Sequence, residues 1–420
     1  MDHFHLIDGE FHCENVPLAT IAQSVGTPVY VYSRSMLEGN ARAFCTGVEQ
    51  AGDVHVAFAI KANPNLAVLK VLAREGCGAD VVSGGEMGRA IAAGVPADQV
   101  VFSGVGKSHA EMAAALDAGI GQFNLESEVE GEELSAIAAA RGQRATCVLR
   151  INPDVDARTH AKISTGKKEN KFGVAIDQAV DIYCRLAQLP GLNLRGVALH
   201  IGSQLLTLDP LEEAFTRIGA LLVDLRAAGQ VATHVDFGGG LGIPYRTDEI
   251  APTPDEYGAM VKRVTGNWGV TLMFEPGRCI VANAGVMVTQ VIRIKPGAIN
   301  PFVIVDAAMN DLARPAMYDA WHDVDAVRPT GERMVANIVG PVCETSDTFA
   351  MGREIDAVAA GDLVVFRTAG AYGATMASTY NSRPMVPEVM VDGDKWAVVA
   401  DRIPAEVIMG AERVPEWLMD

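Results

Sequence analysis

Residues 56–65, VAFAIKANPN, join an apolar strand-like run to one lysine, Lys61, and then to an Asn-Pro pair that ends the strand. Burying an ammonium group is costly unless the group is paired or used. A partly desolvated lysine is also easier to deprotonate, which a lysine that forms a Schiff base requires. On this segment alone, a lysine that merely emerges into solvent at the end of a strand is an equally good interpretation.

Seven further strand-like runs follow along the chain. The eight candidate strands are residues 54–61, 78–83, 99–104, 120–126, 145–152, 194–202, 233–238 and 271–276. Most are short apolar runs without polar alternation, as expected for parallel strands buried on both faces. Stretches rich in Ala and Leu, which suit covering helices, lie between them at 108–118, 128–141, 176–188 and 211–229. The pattern predicts an α/β fold, a (β/α)8 TIM barrel over residues 36–284, with a doubly wound open sheet as the alternative.

The pattern changes from about residue 285. The runs 286–294, 302–306 and 362–366 are β-rich, and helix-like stretches are few. They predict a second, mostly antiparallel β domain. Because residues 28–32, PVYVY, could add a strand to it, we expect this domain to comprise residues 1–35 and 285–420.

The composition limits the classes of partner. The chain has 420 residues, with 52 Asp plus Glu against 34 Lys plus Arg, and a formal charge of −18. This balance argues against nucleic acid or an anionic membrane, because both are bound by basic patches. The sequence has no apolar run of about 18 residues that predicts a membrane span, and its N-terminus lacks the pattern of a signal peptide. Seven widely spaced cysteines without a C-x-x-C pair predict a reduced, cytoplasmic protein with no disulfide framework and no metal site.

The predicted strand ends are unusually polar or rich in glycine. In a TIM barrel the chemistry lies at the carboxyl ends of the strands. These ends carry Lys61, Asp80, Arg150, His200, Ser203, the turn GGGLG at 238–242 and the segment EPGR at 275–278. The sequence therefore predicts an active site at this end of the barrel.

The turn from Gly238 to Gly242 is a candidate phosphate site. Glycines let backbone N–H groups close around an anion, and the end of a late strand is the usual phosphate position in barrels. A tight loop that needs glycine only for its geometry is the alternative. With Ser203 and Arg278 at neighbouring strand ends, we favour phosphate. The turn does not match the dinucleotide fingerprint, because no β-α unit with an acidic residue about 20 residues on follows it.

Glu275 suggests which phosphate compound binds. A carboxylate beside the ring nitrogen of pyridoxal phosphate keeps that nitrogen protonated, and the ring then draws electrons from the substrate best. His200, on an adjacent strand end, could lie flat against such a ring, although a core histidine is the commoner case. Arg150 could reach the ring hydroxyl or only a neighbouring acid.

These residues resemble a known family. AIKANPN around Lys61, HIGSQ at 200–204, GGGLG at 238–242 and EPGR at 275–278 are similar to the fold-type III pyridoxal-phosphate decarboxylases, over essentially the whole chain. The resemblance is greatest to members that convert meso-diaminopimelate to L-lysine and carbon dioxide, the last step of lysine biosynthesis. The segments that carry it are THAKISTGKKENKFG at 159–173, MNDLARPAMYDAWH at 309–322, GPVCETSDTFA at 340–350 and GAYGATMASTYNSRP at 370–384. Ala161 stands where we expect a proline, which should affect loop stiffness rather than chemistry.

The resemblance implies a role for each candidate residue. It implies that Lys61 bonds covalently to pyridoxal phosphate, that Glu275 pairs with the ring nitrogen, and that Cys343 reprotonates the product. The remaining implied cofactor contacts are Asp80, Arg150, His200, Ser203, Gly239, Gly240, Gly277, Arg278 and Tyr372. The implied substrate contacts are Arg278, Arg314, Tyr318, Glu344 and Tyr372.

A substrate with two amino-acid ends must be held at the end that does not react. Arg314 and Tyr318 are four residues apart, so they share a face if this segment is helical, and arginine pairs with a carboxylate through two hydrogen bonds. Glu344 suits the distal ammonium group. The resemblance further implies that Cys343 and Glu344 enter the site of a partner subunit, and hence a homodimer.

Three other functions compete with this one. The first is a decarboxylase of the same family that acts on another amino acid or on a carrier-linked one. The second is a non-catalytic carrier of pyridoxal phosphate, but such chains are shorter, single barrels. The third is an amino-acid racemase, which would place an arginine rather than Glu275 at the ring nitrogen.

Overall fold

The computed structural model describes residues 3–157 and 171–419. The chain divides into two compact units. One comprises residues 37–280, and the other residues 1–36 together with 281–420. Each unit has its own sheet and its own buried core.

The first unit is a closed barrel of eight parallel strands, which confirms the predicted (β/α)8 fold. The strands are β1 Val54–Ala59, β2 Gly78–Val81, β3 Val100–Phe102, β4 Gln122–Leu125, β5 Ala145–Asn152, β6 Leu192–Leu199, β7 His234–Asp236 and β8 Thr271–Phe274. Each pairs in parallel with the next, β8 pairs with β1, and a short strand, Val174–Ala175, adds to β5. Parallel closure brings all eight carboxyl ends to one edge.

Helices cover the outside of this barrel. They are Arg34–Glu49, Leu66–Arg74, Gly84–Ala93, His109–Ala118, Glu128–Ala140, Ala179–Leu186, Asp209–Ala227, Pro254–Thr265 and the short Arg278–Val281. Several begin where a serine or threonine hydroxyl accepts a hydrogen bond from the N–H three residues on, as Ser108 and Thr253 do from Glu111 and Glu256. Such capping satisfies N–H groups that lack a partner within the helix, and it fixes where each helix starts.

Aromatic packing anchors the seventh and eighth strands. Phe237 directly follows β7, and its ring lies 4.0 Å from that of Phe215 and 5.6 Å from that of Phe274, centroid to centroid. All three side chains are almost fully buried. Because Phe237 adjoins the glycine turn, this packing also holds the start of the turn in place.

The second unit is built on a nine-stranded sheet. Its strands are Val29–Ser33, Gly285–Lys295, Phe302–Val305, Val324–Ala326, Arg333–Val339, Thr348–Asp356, Leu363–Phe366, Glu388–Asp392 and Lys395–Ala400. Two pairings are parallel, Phe302–Val305 with Arg333–Val339 and Val29–Ser33 with Glu388–Asp392, and the rest are antiparallel. The predicted mostly antiparallel domain is confirmed, and the N-terminal strand does join it.

Smaller elements complete this unit. A three-stranded sheet consists of Phe4–Ile7, Glu10–Cys13 and Val16–Pro17. The helices are Leu18–Val25, Arg314–Tyr318 and Ala405–Met409. In the part of the chain that the structure describes, no helix has the length and apolar character needed to cross a membrane.

We expect Phe237→Ala to destabilise the barrel by about 3–5 kcal/mol, because truncating a buried phenylalanine leaves a cavity. The measurement is the urea midpoint of unfolding, which should fall at unchanged slope. Val231→Ala is the control: Val231 is 74% exposed, and its truncation should change stability by less than about 0.5 kcal/mol. Equal midpoints for the two variants would contradict the anchoring role of Phe237.

Candidate active site

Lys61 lies at the carboxyl end of β1, paired with a buried carboxylate. The sequence predicted Lys61 within a strand over residues 54–61. In the structure the strand ends at Ala59, and Lys61 lies in the following 3-10 turn, Ile60–Ala62. Its Nζ is 2.8 Å from Oδ2 of Asp80, which is fully buried, whereas the lysine side chain is 39% exposed. The Asp80 carboxylate therefore fixes the amine at the edge of the barrel while leaving it accessible.

The glycine turn after β7 brings backbone close to backbone. A Cβ at Gly239 would lie 2.3 Å from the carbonyl oxygen of Glu275, and one at Gly240 would lie 2.6 Å from that of Gly202. Gly240 also has φ +120°, a conformation that side chains rarely adopt. Both positions therefore require glycine, and the result is a close-fitting turn at the barrel edge.

Arg278 links three strand ends beside this turn. Its guanidinium donates to the Ser203 hydroxyl at 3.0 Å and to the Tyr245 hydroxyl at 2.7 Å. Arg278 and Tyr245 are each 7% exposed. The cation and the serine hydroxyl, which the sequence predicted to act together, are thus held in contact. Tyr245 was missed, although its place three residues after GGGLG was the available signal.

His200, at the end of β6, is held as a neutral imidazole. The N–H of Gly239 donates to its Nδ1 at 3.2 Å, which leaves the ring proton on Nε2. Burial lowers the pKa of His200 well below its ordinary value, and the charges of Arg150 and Lys61 lower it further. A neutral ring suits contact with an aromatic group better than a strongly hydrated cation would.

Glu275, after β8, is buried within a polar cluster. Its Oε1 accepts hydrogen bonds from the Ser103 hydroxyl at 3.2 Å and from the Asn124 amide at 3.1 Å. Burial first, and then the charges of Asp236 and Asp80, raise the pKa of Glu275 well above its ordinary value. Sequence analysis did not single out Ser103 and Asn124, although both are polar residues in or just after apolar strands.

Arg150 contacts a neighbouring acid, one of the two possibilities left open by the sequence. It is 2.5 Å from Oε1 of Glu126 and lies over the ring of Phe172. Glu126 also accepts the N–H groups of Gly104 and Gly173. Gly277, a predicted cofactor contact, packs closely, since a Cβ there would lie 3.0 Å from that of Ala62.

The second unit carries the predicted substrate residues. Arg314 begins the helix Arg314–Tyr318, is only 6% exposed, and lies 2.8 Å from Nε2 of His322. The other ring nitrogen of His322 is 2.8 Å from the carbonyl oxygen of Arg367, so His322 donates there and accepts from Arg314. This chain fixes the direction of the guanidinium. Tyr318 is half-buried at the other end of the same helical turn.

Cys343 and Glu344 lie on an exposed loop of this unit. Asp347 organises the loop: its carboxylate accepts the N–H of Val342 at 2.7 Å and that of Met309 at 2.6 Å. Glu344 accepts the Tyr380 hydroxyl at 2.5 Å. The loop is therefore defined in conformation, yet it presents both side chains to solvent in the single chain.

Tyr372 is strained and partly buried, with φ 55°. A positive φ is rare for a bulky residue and often accompanies a functional constraint.

The predicted site residues divide between the two units. The barrel unit holds Lys61, Asp80, Arg150, His200, Ser203, Gly239, Gly240, Glu275, Gly277 and Arg278, and the other unit holds Arg314, Tyr318, Cys343, Glu344 and Tyr372. In the predicted motif at 159–173, residues 159–170 lie outside the described residues.

Comparisons with known proteins identify relatives over the full length of the chain. Residues 39–282 match the family described as pyridoxal-dependent decarboxylase, pyridoxal binding domain. A diaminopimelate decarboxylase of Zymomonas mobilis is 52% identical over 99% of both chains. The crystal structure of the diaminopimelate decarboxylase of M. jannaschii in complex with L-lysine superimposes with a TM-score of 0.95, at 35% identity, over 100% of this chain and 99% of that one. The Helicobacter pylori diaminopimelate decarboxylase complexed with L-lysine gives 0.89, at 38% identity, over 92% and 97%.

The barrel edge has the donor set that pyridoxal phosphate needs. A primary amine for the aldehyde, a hydroxyl and a cation for the phosphate, and a carboxyl group for the ring nitrogen come from Lys61, Ser203, Arg278 and Glu275. Gly239 and Gly240 are partly exposed at the same edge. Oδ1 of Asp80 is buried without a hydrogen-bond partner among the residues described, so this acid retains capacity beyond Lys61. The residues present therefore fit the cofactor.

We expect Lys61→Ala to lose the covalent bond to pyridoxal phosphate, because its amine is the one that Asp80 holds at the barrel edge. Borohydride reduction followed by peptide mass spectrometry should label Lys61 in the unmodified protein and no lysine in the variant. Lys70→Ala, which removes an exposed helical lysine, is the control and should leave the label at Lys61. A label at another lysine in Lys61→Ala would refute the assignment.

Proposed function

Because the chain belongs to the pyridoxal-dependent decarboxylases, among relatives that are diaminopimelate decarboxylases, we propose that it decarboxylates meso-2,6-diaminopimelate to L-lysine and carbon dioxide. This is the last step of lysine biosynthesis. The observation that carries the proposal is the 52% identity to a diaminopimelate decarboxylase over 99% of both chains. Solved relatives complexed with L-lysine, the product of this reaction, add support.

Residues of the barrel unit would hold the cofactor. We propose that the Lys61 amine binds its aldehyde, that Ser203, Arg278 and the Gly239–Gly240 backbone bind its phosphate, and that Glu275 faces its ring nitrogen. When bound, pyridoxal phosphate supplies an electron sink for the charge that the departing carboxylate leaves behind. Asp80 keeps Lys61 in place, as its 2.8 Å ion pair indicates. His200, held neutral, contributes a flat apolar face.

Residues of the second unit would select the substrate. Arg314 can pair through two hydrogen bonds with the carboxylate at the distal end, and His322 orients it for this role. Tyr318 adds a hydroxyl one helical turn away, Glu344 suits the distal ammonium, and Tyr372 contacts both cofactor and substrate. A simple amino acid such as ornithine has no second carboxylate, so it gains nothing from this arginine.

Cys343 is the proposed acid that returns a proton to the substrate carbon after carbon dioxide leaves. In the single chain it is exposed, as is Glu344. A general acid works best where water is excluded, so a second copy of the chain must cover this loop if Cys343 has this role. We propose a homodimer in which the loop enters the partner's site. The free state of all seven cysteines supports a reducing, cytoplasmic setting.

Two competing functions make different predictions. A family member acting on another amino acid would release carbon dioxide from that substrate in preference, and a racemase would invert the substrate without releasing carbon dioxide. The deciding experiment incubates the loaded protein with meso-diaminopimelate, L-lysine and L-ornithine in parallel and measures carbon dioxide and amine products. Preferential conversion of meso-diaminopimelate to L-lysine supports the proposal, and preference for either other substrate refutes it.

We expect Arg314→Lys to reduce kcat/KM for meso-diaminopimelate by roughly 10- to 100-fold, because lysine cannot form the paired hydrogen bonds and a charge-assisted bond is worth about 1.5–3 kcal/mol. The control is Arg328→Lys, a change at an arginine whose side chain is 70% exposed. An unchanged kcat/KM in Arg314→Lys would remove the proposed substrate contact and favour another substrate.

We expect Cys343→Ala to slow turnover by about 10²- to 10⁴-fold, the usual loss for a positioned general acid, with nearly unchanged cofactor binding. If the loop serves the partner's site, mixing Lys61→Ala with Cys343→Ala should restore roughly a quarter of wild-type activity, because half of the dimers are mixed and each has one intact site. No recovery after verified subunit exchange would place Cys343 in the site of its own chain.

A further inference from the structure

The interior of the barrel is polar between β3, β4 and β7. Ser103, Gln122, Asn124 and Asp236 are 6%, 4%, 3% and 1% exposed. Barrel interiors are usually filled by branched apolar side chains, and buried polar groups are costly unless they are hydrogen-bonded. Of these four residues, Asp236 carries the charge, and neither the sequence analysis nor the proposed function gives it a role.

Asp236 receives hydrogen bonds on both of its oxygens. Its Oδ2 accepts from Nε2 of Gln122 at 3.2 Å and from Nδ2 of Asn124 at 3.0 Å. Its Oδ1 accepts from the N–H of Gly238 at 2.9 Å. Donors of this kind favour the ionised carboxylate, so they offset part of the cost of burying the Asp236 charge.

Glu275 shares one of these donors with Asp236. Nδ2 of Asn124 lies 3.0 Å from Oδ2 of Asp236 and 3.1 Å from Oε1 of Glu275, and it also lies 3.0 Å from the Ser103 hydroxyl oxygen. The Asn124 amide group therefore bridges the two carboxyl groups. Both carboxyl groups are buried, so a charge on Asp236 raises the pKa of Glu275.

The surroundings favour a proton on Glu275 over one on Asp236. Burial raises the pKa of both groups, and the pKa of Asp236 is held back by the Asn124 and Gly238 hydrogen bonds. The pKa of Glu275 is raised further by the charges of Asp236 and Asp80, whereas the Lys61 ammonium lowers it. Two carboxylates in one site cannot both ionise at neutral pH without a large cost.

We propose that Asp236 is a positioning residue for Glu275: in the cofactor-free protein the two carboxyl groups hold one proton, with the charge on Asp236 and the proton on Glu275. Where it concerns the cofactor, this inference rests on the proposed function, which places Glu275 at the ring nitrogen. There Glu275 would give up its proton, its O–H bond breaking as an N–H bond forms at the ring nitrogen. Glu275 would thus supply that proton from within the protein, and none would be drawn from water.

The first test is infrared spectroscopy of the cofactor-free protein over a range of pH. At pH 7 the wild type should show the carbonyl stretch of a protonated carboxylic acid that Glu275→Gln lacks. Glutamine resembles a protonated glutamic acid in shape, so this variant should fold and gives a readout that does not depend on activity. Absence of such a difference between the two proteins would overturn the proposal.

The second test removes the neighbouring charge. In Asp236→Asn, the titration of the Glu275 band should shift to lower pH, because the charge that raises the pKa of Glu275 is gone. Asp325→Asn is the control, since Asp325 is a part-buried acid of the other unit whose pKa is also raised by burial. An unshifted band in folded Asp236→Asn would overturn the proposal. If this variant does not fold, the comparison with Glu275→Gln decides.

The third test adds pyridoxal phosphate and counts protons with a pH indicator. The wild type should take up about one proton fewer per site than Asp236→Asn, because its own Glu275 supplies one. The Glu275 band should also vanish on binding. Suppose that the Glu275 band shifts in Asp236→Asn, as expected, but that the band of the wild type remains after pyridoxal phosphate binds. This result would refute the transfer of the proton to the ring. It would also refute the assignment of Glu275 in the proposed function, while the proton shared within the protein would stand.

Discussion

Closure of the eight-stranded barrel is the constraint on which the site depends. Each strand pairs in parallel with the next, and Leu272, Met273 and Phe274 of β8 pair with residues 54–56 of β1 to close the ring. Because every strand runs the same way, closure gathers residues that are far apart in sequence at one edge. Lys61 and Arg278 share this edge because β1 and β8 pair with each other.

Closure also has a cost, because polar side chains at the carboxyl ends must be buried. Ion pairs and hydrogen bonds offset this cost. Lys61 pairs with Asp80, Arg150 pairs with Glu126, and Arg278 donates to two hydroxyl groups. Glu275 and Asp236 are exceptions, since both accept hydrogen bonds from neutral donors rather than from a cation. A buried acid without a cation of its own is typical of a functional group rather than a structural one.

The fold could be predicted well from the sequence because apolar runs and turn residues are local signals. The predicted strand at 145–152 has the same bounds in the structure, and the error at Lys61 is one of local geometry. There the strand ends at Ala59, two residues before the predicted end, and the chain turns from Ile60 ahead of the Asn63–Pro64 pair. The antiparallel domain was recognised, but its two parallel pairings depend on long-range topology that no local pattern encodes.

The site was predicted in part. Gly239 and Arg278 could be identified because they lie in short motifs, GGGLG and EPGR, that can be recognised in the sequence alone. The partners of Arg278 and Arg150 were missed, because Tyr245 and Glu126 contact them from distant segments of the chain. The same holds for Asp236, which stands in the motif before the glycine turn and whose importance appears only when Asn124 is seen to bridge it to Glu275.

The most direct test of this account is a crystal structure of the protein with pyridoxal phosphate and L-lysine. The account predicts the phosphate on the Gly239–Gly240 backbone beside Ser203 and Arg278, and the ring nitrogen within hydrogen-bond distance of Glu275. It also predicts the distal end of the ligand near Arg314, with the loop of Cys343 supplied by a second copy of the chain. A cofactor bound away from Lys61, or a site completed by one chain alone, would contradict it.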